Sequence, residues 1–249
     1  MYQTAFQVFR QSLGFLLPMA LLIEAVNLAF DISGGFTLVL GAMLAFYFHR
    51  AVLLGNPYTF TDFFKLRATD GQNWLNWSFC WRFGVLLLIP GIVFIAMLVG
   101  LLYIVGLDHT PTDSETLGAA LVAIVPGALV FLPIAALVGT MLPAAAIEAD
   151  ASMGRAFQRG KKTFGVTLWR LFSGSCLYTL FLTIAMALCL GFLNAQAPIL
   201  AANQIASFLI NTLLSLLGFF TPLLTATALS MAYRTGEERL ADQQSLVPA

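Results

Sequence analysis

Apolar residues run along this chain in six stretches, at 12–30, 36–48, 83–107, 117–146, 168–193 and 205–233, divided by polar connections. A helix crossing a bilayer takes about 20 mostly apolar residues at 1.5 Å each. The runs do not alternate between apolar and polar positions, so they read as helices rather than barrel strands. The pattern predicts an all-α, polytopic membrane helix bundle of six transmembrane helices.

A second pattern precedes the odd-numbered runs. In "ASMGRAFQRGKKTFG" (151–165), Met153, Ala156, Phe157 and Phe164 fall on one face at helical spacing, and Arg155, Arg159 and Lys162 on another. Asp150 or Ser152 is available as N-cap. Tyr2, Ala5, Phe6 and Phe9 form a similar face at the start of the chain, and Phe60, Phe63 and Phe64 another within 59–74. A short basic helix with an aromatic face before a span predicts an interfacial amphipathic helix on the cytoplasmic side. "AFQVFRQSLG" (5–14) and "AFQRGKKTFG" (156–165) align without gaps. The chain therefore divides into a membrane domain over 1–234 and a polar tail over 235–249, expected to be frayed. The membrane domain reads as a threefold repeat of lead-in helix plus helix pair, about 1–54, then 57–107 with 117–147, then 150–233.

The prolines refine this layout. Pro18, Pro90 and Pro222 sit inside the first, third and sixth runs, where neighbouring helices can satisfy the freed carbonyls. The fourth run is over-long and holds Pro126, Pro133 and Pro143, so it must tilt, kink or leave the bilayer at its end. The first run contains Glu24 and is followed by "DISGG" rather than a small-residue cleavage site, which fits a retained span and not a removed signal.

Composition agrees: 59% of residues are hydrophobic and only 10% charged, against roughly 25% charged in soluble domains, and the mean hydropathy is +0.88. The net charge is zero, but its distribution is one-sided. All 12 Lys and Arg residues lie at the N-terminus, the second-to-third and fourth-to-fifth connections, the adjoining span ends or the tail. On that side 12 cations face 7 acids, a surplus of five. The opposite connections hold Asp31, Asp108, Asp113 and Glu115 without a cation. The positive-inside rule then places both termini in the cytoplasm.

Candidate chemistry is sparse. His49 and His109 fall on opposite sides, and no HExxH, P-loop or GxGxxG occurs. "FSGS" (172–175) resembles a serine-hydrolase turn only superficially, since Phe172 stands where a glycine is required. Cys80, Cys176 and Cys189 are widely spaced and form no CxxC, so they read as apolar fillers. The inventory calls for no cofactor, no metal and no catalytic residue. Nucleic acid is not expected as a partner, because the aromatics beside the basic residues share an apolar face.

Two groups of polar residues stand out instead. Glu24, with Asn27 one turn on, lies inside the first span, where a carboxylate must be protonated, paired or carried to the interface. Either it couples a proton or cation, or, as the more frequent case, it is a protonated carboxyl bonded within the bundle or reaching the outer interface. Arg82, Arg155, Arg159, Lys161, Lys162 and Arg170 cluster at the cytoplasmic side as candidate contacts for anionic lipid or another anion. Trp81 and Trp169 beside two of these arginines fit an interfacial belt. Asn211, Thr221 and Thr225 in the sixth run read as hydrogen-bonding glue between helices.

"MLPAAAIEADASMGRAFQRGKKTFGVTLWRLFSG" (141–174) carries a span end with proline, then Glu, then A-S-x-x-x-A-F-x-x-G, basic residues and W-R-L. This layout resembles the bacterial six-span inner-membrane proteins related to the membrane domain of glycerophosphodiester phosphodiesterases, and Tyr233-Arg234 loosely matches their closing segment. In those enzymes a separate soluble domain does the catalysis. The resemblance therefore implies a bacterial inner-membrane module without its own hydrolase. The expected function is a non-enzymatic, membrane-organising or accessory subunit engaging anionic lipids or a partner membrane protein. An ion-coupled or small-solute transporter is the alternative, and an intramembrane lipid enzyme the third reading.

Overall fold

The structure is a computed structural model and describes residues 1–30, 35–55, 76–105, 113–196 and 204–245. Among these residues all regular structure is helical. Helix α1 (Tyr2–Gln11) is bent by 74° from α2 (Leu13–Phe30). Then follow α3 (Gly35–Leu54), α4 (Trp77–Val105), α5 (Asp113–Val138) and the short α6 (Met141–Ala146). Helix α7 (Met153–Arg170) continues through a π-helical turn, Leu171–Cys176, into α8 (Leu177–Gln196). Helices α9 (Gln204–Gly218) and α10 (Phe220–Ser245) complete the chain. The second lead-in at 59–74 and the connections at 31–34 and 106–112 lie outside the described residues.

Three stretches are long and apolar enough to cross a membrane: Trp77–Ile104, Met153–Ala185 and Phe208–Gln243. The bent pair α1–α2 makes a fourth if it is counted as one span. Leu40–Leu54 and Val125–Val138 are shorter apolar helices. The chain is thus an all-helical membrane protein with three to four helices able to span, among the described residues.

Among the described residues the packed core gathers toward the end of the bundle that carries the cations. One cluster joins α3, α4, α5, α6, α7 and α10 through Phe46, Phe79, Leu132, Met141, Ala156 and Leu229. The other joins α1, α2, α3 and α10 through Ala5, Leu16, Phe48 and Leu223. Helices α3 and α10 belong to both. Away from this end, Ile92, Ile95 and Val99 on α4 and Phe181, Ile184 and Leu188 on α8 are exposed. Apolar faces of that extent are stable against lipid, not water.

Two expectations are sharpened. The over-long fourth run kinks: it divides at Gly139–Thr140 into α5 and α6. Helix α6 then ends in two backbone bonds, Ala149 N–H to Ala144 O (2.9 Å) and Glu148 N–H to Ala145 O (3.3 Å), with Glu148 at φ 58°. This is a Schellman end with glutamate where glycine is usual, and it turns the chain back toward α7. Residues 235–245 of the tail are not frayed as expected, because α10 runs on to Ser245. Its sequence "EERLADQQ" holds strong helix formers and no breaker.

The two aligned lead-ins share a burial pattern. Ala5 and Ala156, Val8 and Arg159, and Ser12 and Thr163 are all buried, whereas Phe6 and Phe157 face outward. They continue differently, α1 turning sharply at Ser12 and α7 running on without a break.

Helix α7 lies directly on the end of α5 at Gly160. A Cβ there would sit 1.9 Å from the Leu137 carbonyl oxygen and 2.7 Å from its Cα, both backbone atoms that cannot step aside. Gly154, one and a half turns earlier, faces open space. Gly160→Ala should therefore destabilise the detergent-solubilised protein by roughly 1–3 kcal/mol, while Gly154→Ala should stay within about 0.5 kcal/mol of wild type. Denaturant unfolding of the two variants compares them directly, and equal midpoints would contradict this packing.

Candidate functional site

The basic end is organised around the first turn of α7. Both candidate caps are used, in series: Asp150 Oδ1 accepts from Ser152 N–H at 2.9 Å, and Ser152 Oγ accepts from Arg155 N–H at 3.4 Å. The Ser152 bonds hold the Asp150 carboxyl below its usual range. Starting the helix here places Arg155 and Arg159 one turn apart, on the face that meets α10.

Their partner is Glu237, on the polar extension of α10. Arg155 Nη2 donates to Glu237 Oε2 at 2.9 Å, and Arg159 Nε donates to Oε1 of the same carboxylate. Arg159 Nη2 reaches the Asp150 carbonyl at 2.5 Å, and its guanidinium lies 4.9 Å from the centre of the Tyr233 ring. Gly236 makes the approach possible, since a Cβ there would stand 2.8 Å from Arg159 Cβ. The Arg159 side chain is only 1% exposed, and its Nη1 has no partner among the described residues.

The six cationic candidates thus divide. Arg155 and Arg159 converge on Glu237, and Arg82 comes from α4 to the same turn, donating through Nε to Ala151 O at 3.0 Å. Arg82 also bonds Ser78 O at 2.9 Å. Lys161, Lys162 and Arg170 are not drawn into this cluster: Lys161 Nζ lies 4.6 Å from the Phe157 ring centre, and Arg170 is half-buried beside exposed Trp169. Lys162 contributes its carbonyl, which accepts from Arg239. The helical alignment of Arg155, Arg159 and Lys162 expected an outward basic face, but α10 covers Arg159 and leaves it facing inward.

The same guanidinium-to-carbonyl contact recurs. Arg50 bonds Ala146 O at 2.9 Å at the end of α6, and Arg234 bonds Leu53 O at 2.6 Å at the end of α3. Cations at helix C-termini satisfy terminal carbonyls and oppose the helix dipole.

Glu24 is paired within the bundle, where Ser215 Oγ of α9 donates to its Oε1 at 2.5 Å. Asn27 belongs to α2, but its side chain lies outside the described part of the structure. Thr221 and Thr225 do join helices, through Thr179 (3.2 Å) and Ser175 (2.7 Å). "FSGS" lies in the π-helical turn, with Ser173 Oγ bonded to Trp169 O and Gly174 against Met1.

Two features escaped the sequence reading. Glu237 counted only as part of a polar tail; its signal is the helical spacing from Tyr233, with helix formers following Gly236. His49 and Ser230 form a buried 2.9 Å hydrogen bond between α3 and α10, 181 residues apart and beside Phe79, with no local motif to announce it. Among the described residues no group of three His, Cys, Asp or Glu converges as a metal site.

Fold and site together define an all-helical membrane protein whose basic end is tied by arginines to carbonyls and one carboxylate. A comparison of the chain with protein-family models, curated proteins and solved structures finds no match.

Glu237 lies in the polar stretch past the apolar part of α10. The bond from Arg155 is the largest influence on its carboxyl, holding it below its ordinary value of 4.5, and Arg159 adds to this. The facing groups are Arg155, Arg159, Tyr233 and Asp150. Because the folded value is lowered, the ion pairs contribute fully above the ordinary value and lose their contribution as pH falls through the depressed one. The unfolding midpoint of the wild type should drop in that acid window, and Glu237→Gln should flatten the drop. Parallel acid profiles for the two proteins would refute the assignment.

Proposed function

We propose that this protein is a non-enzymatic, six-span module of the bacterial inner membrane, with both termini cytoplasmic, that holds anionic lipid against its basic end and serves as a membrane-organising or accessory subunit. The observation that carries the reading is an aromatic and cationic belt at the packed end of the bundle. Trp77, Trp81 and Trp169 are 76%, 67% and 66% exposed there, and Tyr2 and Phe6 of α1 are exposed with them. The elements bearing them are joined: Tyr2 OH donates to Ser173 O at 2.6 Å, and Arg82 ties α4 to the turn before α7. Lys161, Lys162 and Arg170 lie on the same helix as Trp169. Tryptophan at headgroup depth beside cations is the usual arrangement of a membrane interface.

Six spans are the reading of the six apolar runs, in which the bent pair α1–α2, α3 and the proline-containing α5 are counted beside the three longest stretches. The one-sided cations supply the orientation. The resemblance of 141–174 to membrane modules of glycerophosphodiester phosphodiesterases supports a role beside lipid or beside another membrane protein. The transporter alternative rests on Glu24; its bond to Ser215 supports a helix-joining role instead.

Replacing Lys161, Lys162 and Arg170 together by Gln should weaken retention of phosphatidylglycerol by on the order of a hundredfold, at about 1 kcal/mol per cation. Native mass spectrometry of the gently extracted protein reads both lipid and partner retention. Undiminished lipid and partner binding by the triple variant would reject the reading.

A further inference from the structure

We propose that Arg155 and Arg159 form a binding site for an anionic phosphate group, and that Glu237 occupies it as an internal substitute. This rests on the lipid-facing reading of the basic end and deepens it. Two guanidiniums from successive turns of α7 converge on one carboxylate, one oxygen to each. Guanidinium donors match carboxylate and phosphate oxygens alike, and phosphate offers more acceptors and more charge. The Arg159 side chain is buried, and its Nη1 has no acceptor among the described residues. A buried donor left unmet is a standing cost in the folded state. The donor capacity gathered here therefore exceeds what Glu237 accepts.

The place and the access both suit such a ligand. The side chains of Arg155 and Glu237 are 28% and 32% exposed, so an anion can exchange with the carboxylate from outside while Arg159 waits beneath. Open space beside Gly154 flanks the same turn, which is the positive end of α7. The neighbouring acid, Asp150, hydrogen-bonds Ser152 and acts on the two guanidiniums only through its charge, and its carbonyl fixes Arg159 Nη2. Glu237 sits on the part of α10 beyond the apolar run, so its release would free a polar helix end and leave the spans in place. Anionic phosphate arriving at this turn thus displaces Glu237 and loosens the end of α10.

The test uses the full chain in lipid nanodiscs, comparing wild type, Glu237→Gln and the double variant Glu237→Gln with Arg155→Ala. Glu237→Gln should retain roughly fivefold more phosphatidylglycerol than wild type, with no gain for phosphatidylcholine, and Arg155→Ala should abolish the gain. Competition by inorganic phosphate then separates the sources. Displacement of the lipid assigns the site to phosphate from either source, and its failure assigns it to the headgroup in the bilayer. A gain absent from Glu237→Gln, or one that survives Arg155→Ala, would overturn the proposal. Should Glu237→Gln not fold, hydrogen exchange of residues 235–245 in the wild type decides. Faster exchange in phosphatidylglycerol than in phosphatidylcholine nanodiscs supports displacement, and equal exchange overturns it. Loss of lipid on neutralising Lys161, Lys162 and Arg170, with no effect of Glu237→Gln, would retain the belt and discard this site. The opposite pair of results would discard the belt alone.

Discussion

The guanidinium of Arg159 lies inside the protein, and most of the basic end is arranged to keep it there. A buried cation must be paired and hydrogen-bonded. Here the charge is met by Glu237, one amino group by the Asp150 carbonyl, and the flat face by Tyr233. Each partner brings a segment with it. Glu237 and Tyr233 fasten α10, and Asp150 fastens the turn that follows the α6 cap. One residue further on, Gly160 brings α7 against the backbone of α5. Three segments thus meet around one side chain, and removing it would leave a void beneath the partly exposed Glu237 carboxylate.

From this knot the helices diverge into an apolar environment. The buried clusters gather at the cationic end, while the far parts of α4 and α8 show their apolar side chains outward. Water would penalise that arrangement; lipid does not, so helices need tight packing only where polar groups require it. The polar contacts within the apolar region fit the same logic. Glu24 with Ser215, Thr225 with Ser175 and Thr221 with Thr179 are each closed between helices. At this knot the pair Arg155 and Glu237 reaches the surface, and an anion gains access there.

Several parts of this architecture were readable from local pattern. The lead-in helices announced themselves by apolar spacing, and the inward position of Ala5 and Ala156 follows from that spacing. The kink in the over-long fourth run followed from its length and its prolines. The exposed Trp81 and Trp169 stand beside arginines in the sequence itself. The inward position of Arg159 was not visible, because a cation on a helical wheel looks solvated until another helix is laid over it. Glu237 was missed for a related reason: a polar tail reads as disorder unless a partner holds it. His49 and Ser230 had no signal at all, being single residues on different helices.

By itself the sequence determined that this chain belongs in a membrane, roughly where its helices lie, and which end carries the cations. These properties are sums over neighbouring residues: hydropathy accumulates along a window, and charge is counted loop by loop. Only the tertiary structure decided that Arg155 and Arg159 share Glu237, 82 and 78 residues away. That choice depends on which helices become neighbours and on their rotation, and one residue of phase turns a side chain by about 100°. Local sums carry no information about that phase between distant helices, so the site exists only once α10 is seated on α7.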